Sequence, residues 1–133
     1  MKQDQLNQSN SNMVERWKQY VVAGNHCMIG KEFQSAAIQY ELARQCAESL
    51  FKRWFEPSEA VSALVVTYHN IADLNRKQGN TKSVLYYLEK AHDIVLRELT
   101  STPIGDKKHN ALLCASKRTY KALVGYKKCG VYY

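Results

Sequence analysis

Few residues in this sequence interrupt regular structure, since there are two prolines and six glycines among 133 residues. No apolar run approaches the roughly 20 residues that a membrane-spanning helix needs. The polar start MKQDQLNQSNSN lacks the apolar core of a secretory signal. These absences exclude a proline-rich or glycine-rich disordered chain and give no sign of export. We therefore expect a single soluble domain in the cytoplasm.

Closely spaced cysteine pairs are also missing. The four cysteines are Cys27, Cys46, Cys114 and Cys129, and no two of them form a C-x-x-C pair. Zinc sites are usually built from such pairs. We interpret the cysteines as small buried hydrophobes and expect neither a metal ion nor another cofactor. A contact between Cys27 and Cys46 across two packed helices stays open.

Apolar residues recur at spacings of three and four, which is typical of amphipathic helices, and no run alternates with the period of two expected of a strand. The sequence therefore predicts an all-α fold of antiparallel helical hairpins stacked as a short array of about five helices. The predicted segments are a flexible polar tail over 1–12, a hairpin over 13–55, a hairpin over 57–100 and a C-terminal helix over 106–128, in one domain over 13–133.

Polar and conformationally special residues mark the predicted helix ends. Ser11 or Asn12 is placed to cap the first helix by accepting bonds from its free N–H groups. Gly30 follows that helix, where a left-handed turn costs least. Pro57 separates the second helix from the third, and Gly79 ends the third.

The C-terminal helix carries most of the positive charge. Residues 105–133 hold seven Lys and Arg residues but a single acidic residue, Asp106, which gives this segment +6 of the total charge of +7. An apolar face of five residues is expected to pack on the core. Those residues are Leu112, Leu113, Tyr120, Leu123 and Val124. The opposite face is a basic patch made of Lys117, Arg118, Lys121 and Lys128.

A pattern of large and small residues occurs twice in the sequence. Each residue of the first copy is separated from its counterpart in the second copy by the same number of positions as Tyr20 is from Tyr68. We call this separation the repeat offset. The first copy consists of Tyr20, Ala23, Gly24, Cys27, Ala36, Tyr40 and Ala43. The second copy consists of Tyr68, Ile71, Ala72, Asn75, Val84, Leu88 and Ala91. The small residues let the two helices of a hairpin approach, and the large ones fill the space beside them.

The repeated pattern resembles the tetratricopeptide repeat, and Gly24, Ala36, Tyr40 and Ala43 match it in the first copy. Ala72, Leu88, Ala91 and the turn at 78–80 match it in the second copy. Cys27 and Asn75 stand where the family usually has a large residue, and Val84 stands where it usually has a small one. The repeat is also longer than the family's, which recurs about every 34 residues. The excess is close to four whole helical turns, which keeps the core stripes in phase.

The resemblance implies stacked hairpins with a concave face formed by the first helix of each pair. It also implies a non-enzymatic protein- or peptide-binding module that acts as an adaptor, scaffold or regulator. Two repeats leave an exposed end, and such arrays need a cap. The C-terminal helix is the expected cap, and a homodimer is the alternative way to cover that end.

The concave face is predicted to bind the partner. Its candidate residues are Asn25, Met28, His69, Asn70, Asp73 and Arg76. His69 and Asp73 lie four residues apart, so the carboxylate is expected to hold the imidazole N–H and raise its pKa. A solvated helix face with an ordinary ion pair is the alternative interpretation of the same residues.

Other chemistry has less support in the sequence. The basic patch beside tyrosines could follow a phosphate backbone, so a nucleic-acid-associated regulator is the alternative function. No catalytic motif such as HExxH, a Walker loop or GxSxG occurs, and we expect no enzyme activity. His92 is expected to be hydrogen-bonded packing.

Overall fold

The computed structural model describes residues 2–53 and 56–129, which form five α-helices and no strand. In chain order the helices are α1 (Lys2–Ile29), α2 (Phe33–Arg53), α3 (Pro57–Lys77), α4 (Thr81–Ser101) and α5 (Lys107–Cys129). Each helix packs against the next, and α5 also packs against α3. This confirms the predicted all-α fold of stacked hairpins. The predicted end of the first hairpin, at residue 55, lies outside the described residues.

The first helix begins earlier than the sequence predicted. We expected a flexible tail over 1–12 and a cap at Ser11 or Asn12, but α1 already begins at Lys2. The stretch 2–12 contains no glycine or proline, so nothing in it interrupts a helix. Asn10 is only 1% exposed, whereas the other described side chains of this stretch are exposed. The predicted cap at Ser11 or Asn12 was therefore wrong.

Backbone hydrogen bonds close the ends of α1 and α3. At the end of α3, Gly79 has a φ of 76°, and the Asn80 N–H donates to the Asn75 carbonyl at 2.9 Å, as a glycine C-terminal turn requires. At the end of α1 the left-handed residue is Lys31, with a φ of 58°, and not Gly30 as predicted.

The two copies of the sequence repeat make equivalent packing contacts. In the first, Ala36 and Tyr40 of α2 pack against Ile71 and Leu74 of α3. In the second, Val84 and Leu88 of α4 pack against Ala122 and Leu123 of α5. Three pairs of these residues are related by the repeat offset, namely Ala36 with Val84, Tyr40 with Leu88 and Leu74 with Ala122. The repeat in the sequence is therefore also a repeat in the packing.

The helix α5 turns a different face to the core than its apolar residues suggested. Its buried residues are mostly small and include Leu112, Ala115, Ser116, Thr119, Ala122 and Leu123. Leu113 and Tyr120 were predicted to be core but are 39% and 58% exposed. Small side chains let α5 approach α4 and α3 closely, and this close packing outweighs the larger apolar area of Leu113 and Tyr120.

Gly24 of α1, Ala72 of α3 and Tyr120 of α5 are equivalent positions of the repeat. The repeat offset separates Gly24 from Ala72, and the same offset separates Ala72 from Tyr120. The first two positions are small and buried, and each is followed in the chain by the second helix of its hairpin. The third is a large aromatic ring that lies 5.8 Å from the His92 ring. An exposed aromatic ring therefore stands in α5 where α1 and α3 carry a small, buried residue.

The core between the hairpins contains one cluster from α2, α3, α4 and α5. Its buried members are Phe51, Val61, Leu64, Val65, Tyr68, Ala91, Val95, Leu112 and Ala115. A polar link joins α1 to α3, where Trp17 Nε1 donates to Thr67 Oγ1 at 2.8 Å. Among the described helices none is both long and apolar enough to span a membrane.

Candidate functional site

Two of the predicted binding residues lie near one buried hydroxyl. Tyr40 Oη of α2 donates a hydrogen bond to Oδ1 of Asn25 on α1, at 2.7 Å. Burial raises the pKa of Tyr40 to about 12, and the nearby charge of Asp73 on α3 adds to the shift. The structure therefore holds Asn25 on this hydroxyl and places the charge of Asp73, from another helix, near it. Because Oδ1 accepts from Tyr40, the amide nitrogen of Asn25 is left to donate to a ligand.

Asp73 also forms an ion pair with Arg76 at 2.8 Å, and the two side chains are 38% and 43% exposed. An exposed pair at this spacing contributes little to stability, about 0.3–0.5 kcal/mol. Its charged groups therefore remain accessible to a partner at little cost in stability.

The other predicted groove residues are less accessible. Met28 is half-buried and packs against the cluster of Ala36, Tyr40, Ile71 and Leu74. Asn70 is also half-buried. We use the name first-helix face for the predicted set, which consists of Asn25, Met28, His69, Asn70, Asp73 and Arg76.

His69 behaves differently from the prediction. Burial lowers its pKa to about 4, and the positive charge of Arg118 on α5 contributes to the shift. The sequence predicted a pKa raised by Asp73, and that prediction is wrong. The desolvation of the imidazole and a cation from another helix outweigh the carboxylate one turn away. At neutral pH His69 is uncharged.

The predicted basic patch lies on the surface of α5, and Lys117, Arg118, Lys121 and Lys128 are all exposed. Arg118 lies at the side of α5 that approaches His69, so one end of the patch adjoins the first-helix face. Tyr120 is the exposed aromatic residue among these cations.

A second surface was not predicted from the sequence. It is a groove between α2 and α4, floored by α3, and we call it the α2–α4 groove. At one end Arg44 bonds to Glu41 and Glu48 of its own helix, with Nη1 at 2.6 Å from Glu48 Oε1. The same Glu48 oxygen accepts a bond from Tyr68 Oη at 2.7 Å. The bond from Arg44 lowers the pKa of Glu41.

The groove comprises two adjoining cavities of about 560 and 470 Å³. The first is lined by Glu41, Arg44, Glu48, Tyr68, Tyr86, Tyr87 and Lys90. The second is lined by Glu48, Phe51, Lys52, Leu64, Tyr68, Lys90, Ile94, Arg97, Glu98 and Lys108. The sequence carried one signal of this groove, which is the spacing of three and four positions between the acidic and basic residues of α2. The sequence did not show that α4 lies opposite them.

Lys108 of α5 closes one end of the groove. Its Nζ lies 2.9 Å from Glu98 Oε1 and 4.7 Å from the centre of the Phe51 ring. The ammonium is thus held by a carboxylate and an aromatic face together, which fixes the wall at this end.

His92 and three of the cysteines are the remaining side chains whose surroundings were predicted from the sequence. His92 Nδ1 is 2.8 Å from Thr119 Oγ1, which confirms that it is hydrogen-bonded packing. Burial raises the pKa of the Cys46 thiol, and Cys114 is exposed, unlike the buried cysteine predicted. Cys27 and Cys46 are both free thiols. In residues 2–53 and 56–129, no three His, Cys, Asp or Glu side chains are grouped to hold a metal ion.

A family model with the description "Protein of unknown function (DUF2753)" matches residues 15–130, which is most of the chain. No curated protein and no solved structure matches it.

Proposed function

We propose that this chain, which belongs to the DUF2753 family, is a cytoplasmic, non-enzymatic module that binds a protein or peptide on its first-helix face. The observation that carries the proposal is the hydrogen bond that fixes exposed Asn25 on the buried Tyr40 hydroxyl, near the charge of Asp73. A side-chain amide held by a buried donor presents its N–H groups in a fixed direction. Such a group can bond a peptide carbonyl with little loss of side-chain entropy.

The repeated packing supports a tetratricopeptide-like array as the framework of this face. Helices α1, α3 and α5 are the first helices of successive units, and both α1 and α5 contact α3. In arrays of this kind the first helices form the concave face on which peptides bind. The array would be capped by α5.

Quantitative affinity capture with purified chain as bait tests this proposal. Removing Asp73 and Arg76 together (Asp73→Ala with Arg76→Ala) deletes an exposed ion pair from the first-helix face. We expect recovery of the specific partner to fall about tenfold or more, as for other residues central to an interface.

The chain offers a matched control. Glu15 and Lys18 form another exposed pair three residues apart on α1, at 3.7 Å, and lie outside the first-helix face. Glu15→Ala with Lys18→Ala should leave recovery unchanged. Equal recovery by the wild type and both double variants would show that the first-helix face does not bind the partner.

The exposed cations of α5 favour a second candidate, a nucleic-acid-associated regulator. Binding of a fluorescent mixed-sequence single strand or duplex should weaken steeply with salt, because phosphate contacts release counterions. It should also weaken when Lys117, Arg118 and Lys121 are replaced by glutamate. The control replaces Lys31, Lys77 and Lys82, which changes the net charge equally elsewhere. Absence of binding at low salt would rule this candidate out.

A further inference from the structure

The α2–α4 groove is open because the backbones of α2 and α4 do not approach each other closely over the described residues. Helix α3 lies between them, and its Leu64 and Tyr68 form the bottom of the groove. Phe51 of α2 and Ile94 of α4 contribute apolar walls on either side. The groove therefore offers apolar surface at its base, with both helices free to contact a ligand.

Positive charge dominates the end of the groove that is formed by the second cavity. Lys52, Lys90 and Arg97 are exposed on its walls, and Lys90 also lies 5.8 Å from the centre of the Tyr86 ring. The carboxylates at this end are already engaged. Glu48 bonds to Arg44 and Tyr68, while Glu98 bonds to Lys108. The cations of Lys52, Lys90 and Arg97 are therefore the charges that an incoming ligand meets.

The dimensions favour a short peptide. The lining residues run from Glu41 to Lys52 along α2, which corresponds to about 17 Å at 1.5 Å per helical residue. An extended peptide advances about 3.3 Å per residue, so the groove spans about five residues. A nucleic-acid strand fits less well, because the aliphatic side chains of Leu64 and Ile94 match an apolar peptide side chain better than a nucleotide base, which binds by stacking on aromatic rings.

We propose that the α2–α4 groove binds an acidic peptide segment of a partner protein in an extended conformation. One apolar side chain of the peptide rests on Leu64 between Phe51 and Ile94, and flanking carboxylates meet Lys52 and Arg97 on opposite walls. This site uses the second helices of the two hairpins. It is separate from the first-helix face and does not depend on the function proposed for it.

A hexapeptide array probed with the full chain tests the proposal. One set places Leu, Ile or Phe between Asp and Glu residues, and the matched set replaces every acid with lysine. We expect retention of the acidic set alone. The tightest peptide, fluorescein-labelled, is then titrated by anisotropy against Lys52→Glu with Arg97→Glu, and its affinity should fall about tenfold or more through loss and reversal of the complementary charge.

A control variant and a direct map of the site complete the test. Lys31→Glu with Lys77→Glu makes the same change in net charge outside the groove and should alter the affinity less than about twofold. In the wild type, amide NMR shifts should move in α2 and α4 around Phe51, Leu64 and Ile94, which locates the site without any variant. Shifts confined to other helices, equal losses in both variants, retention of the basic set or no binding at all would each overturn the proposal. Competition by a mixed-sequence single-stranded DNA at equal charge would also overturn it.

Discussion

Gly24 of α1 lies directly against the Tyr40 ring of α2, so closely that a Cβ atom at residue 24 would overlap Cε1 and Cδ1 of that ring. Tyr40 is buried and its hydroxyl is fixed on Asn25, so the ring cannot readily move aside. In the second hairpin the corresponding pair is Ala72 and Leu88. A larger residue on one helix is thus matched with a smaller one on the other.

Gly24→Ala should therefore destabilise the protein, although alanine is the better helix former. We expect a net loss of about 1–2 kcal/mol, since overpacking costs typically 1–3 kcal/mol and the gain in helix propensity is below about 1 kcal/mol. Thermal and chemical unfolding followed by circular dichroism measures the loss. A stabilised variant would show that the Tyr40 ring yields easily.

Combining Gly24→Ala with Tyr40→Leu transplants the Ala72–Leu88 pair into the first hairpin. The double variant should be more stable than the sum of the two single losses predicts, by about 1 kcal/mol. The four unfolding free energies of this cycle give the coupling directly. Additive losses would mean that the two hairpins do not share one packing rule.

Tyr40 should make the free energy of unfolding fall as the pH rises above 10. Its pKa is raised from 10.0 to about 12, so the unfolded chain loses this proton at lower pH than the folded one. The contribution is complete below pH 10 and is lost as the pH rises towards 12. Tyr40→Phe should reduce this slope in guanidinium unfolding between pH 9 and 12. Part of the slope should remain in this variant, because burial also raises the pKa of Tyr68. An unchanged slope would contradict the assignment.

His69 has the opposite effect on the acid side. Its pKa is lowered from 6.5 to about 4, so the unfolded chain takes up the proton first. Stability should fall as the pH decreases from 6.5 to 4, and His69→Asn should reduce that fall. An NMR titration of the imidazole gives the pKa itself.

Arg118→Gln removes the nearby cation that contributes to the shift and should move the pKa of His69 upward, with burial keeping it below 6.5. His92 provides an internal reference in the same titration. A wild-type His69 that titrates near 6.5 would refute the enclosed environment.

Thr67 couples α1 to α3 through its hydroxyl, which accepts from Trp17 Nε1 at 2.8 Å and donates to the Ala63 carbonyl at 2.7 Å. Thr67→Val leaves the indole N–H without its acceptor and should cost about 1–3 kcal/mol. Thr67→Ser keeps the hydroxyl and should lose less. Urea unfolding of the three proteins separates the effect of the bond from that of the methyl group, and equal losses would assign the effect to packing.

Much of the fold was predictable because local chemistry decides it. Pro57 and Gly79 act at the helix ends where the sequence placed them. The stripe of Val84, Leu88 and Ala91 is buried as its spacing predicted. In such places, the conformational preference of a residue and the periodicity of its neighbours agree.

The rest depended on contacts between distant residues. The face that α5 buries is built from Ala115, Thr119 and Ala122, whose small side chains give a weak periodic signal. The pKa of His69 is set by its enclosure and by Arg118, which is far away in sequence on another helix. The α2–α4 groove depends on the relative placement of two helices whose backbones do not approach each other closely. Periodicity within a single helix carries no information on any of these three.

Tyr120 makes the last helix of the array chemically unlike the two first helices before it. Its ring is more than half exposed and stands at the repeat position where Gly24 and Ala72 are small and buried. A helix added to α5 in the way that α2 packs on α1 would therefore have to bury or displace an aromatic ring that α1 and α3 lack.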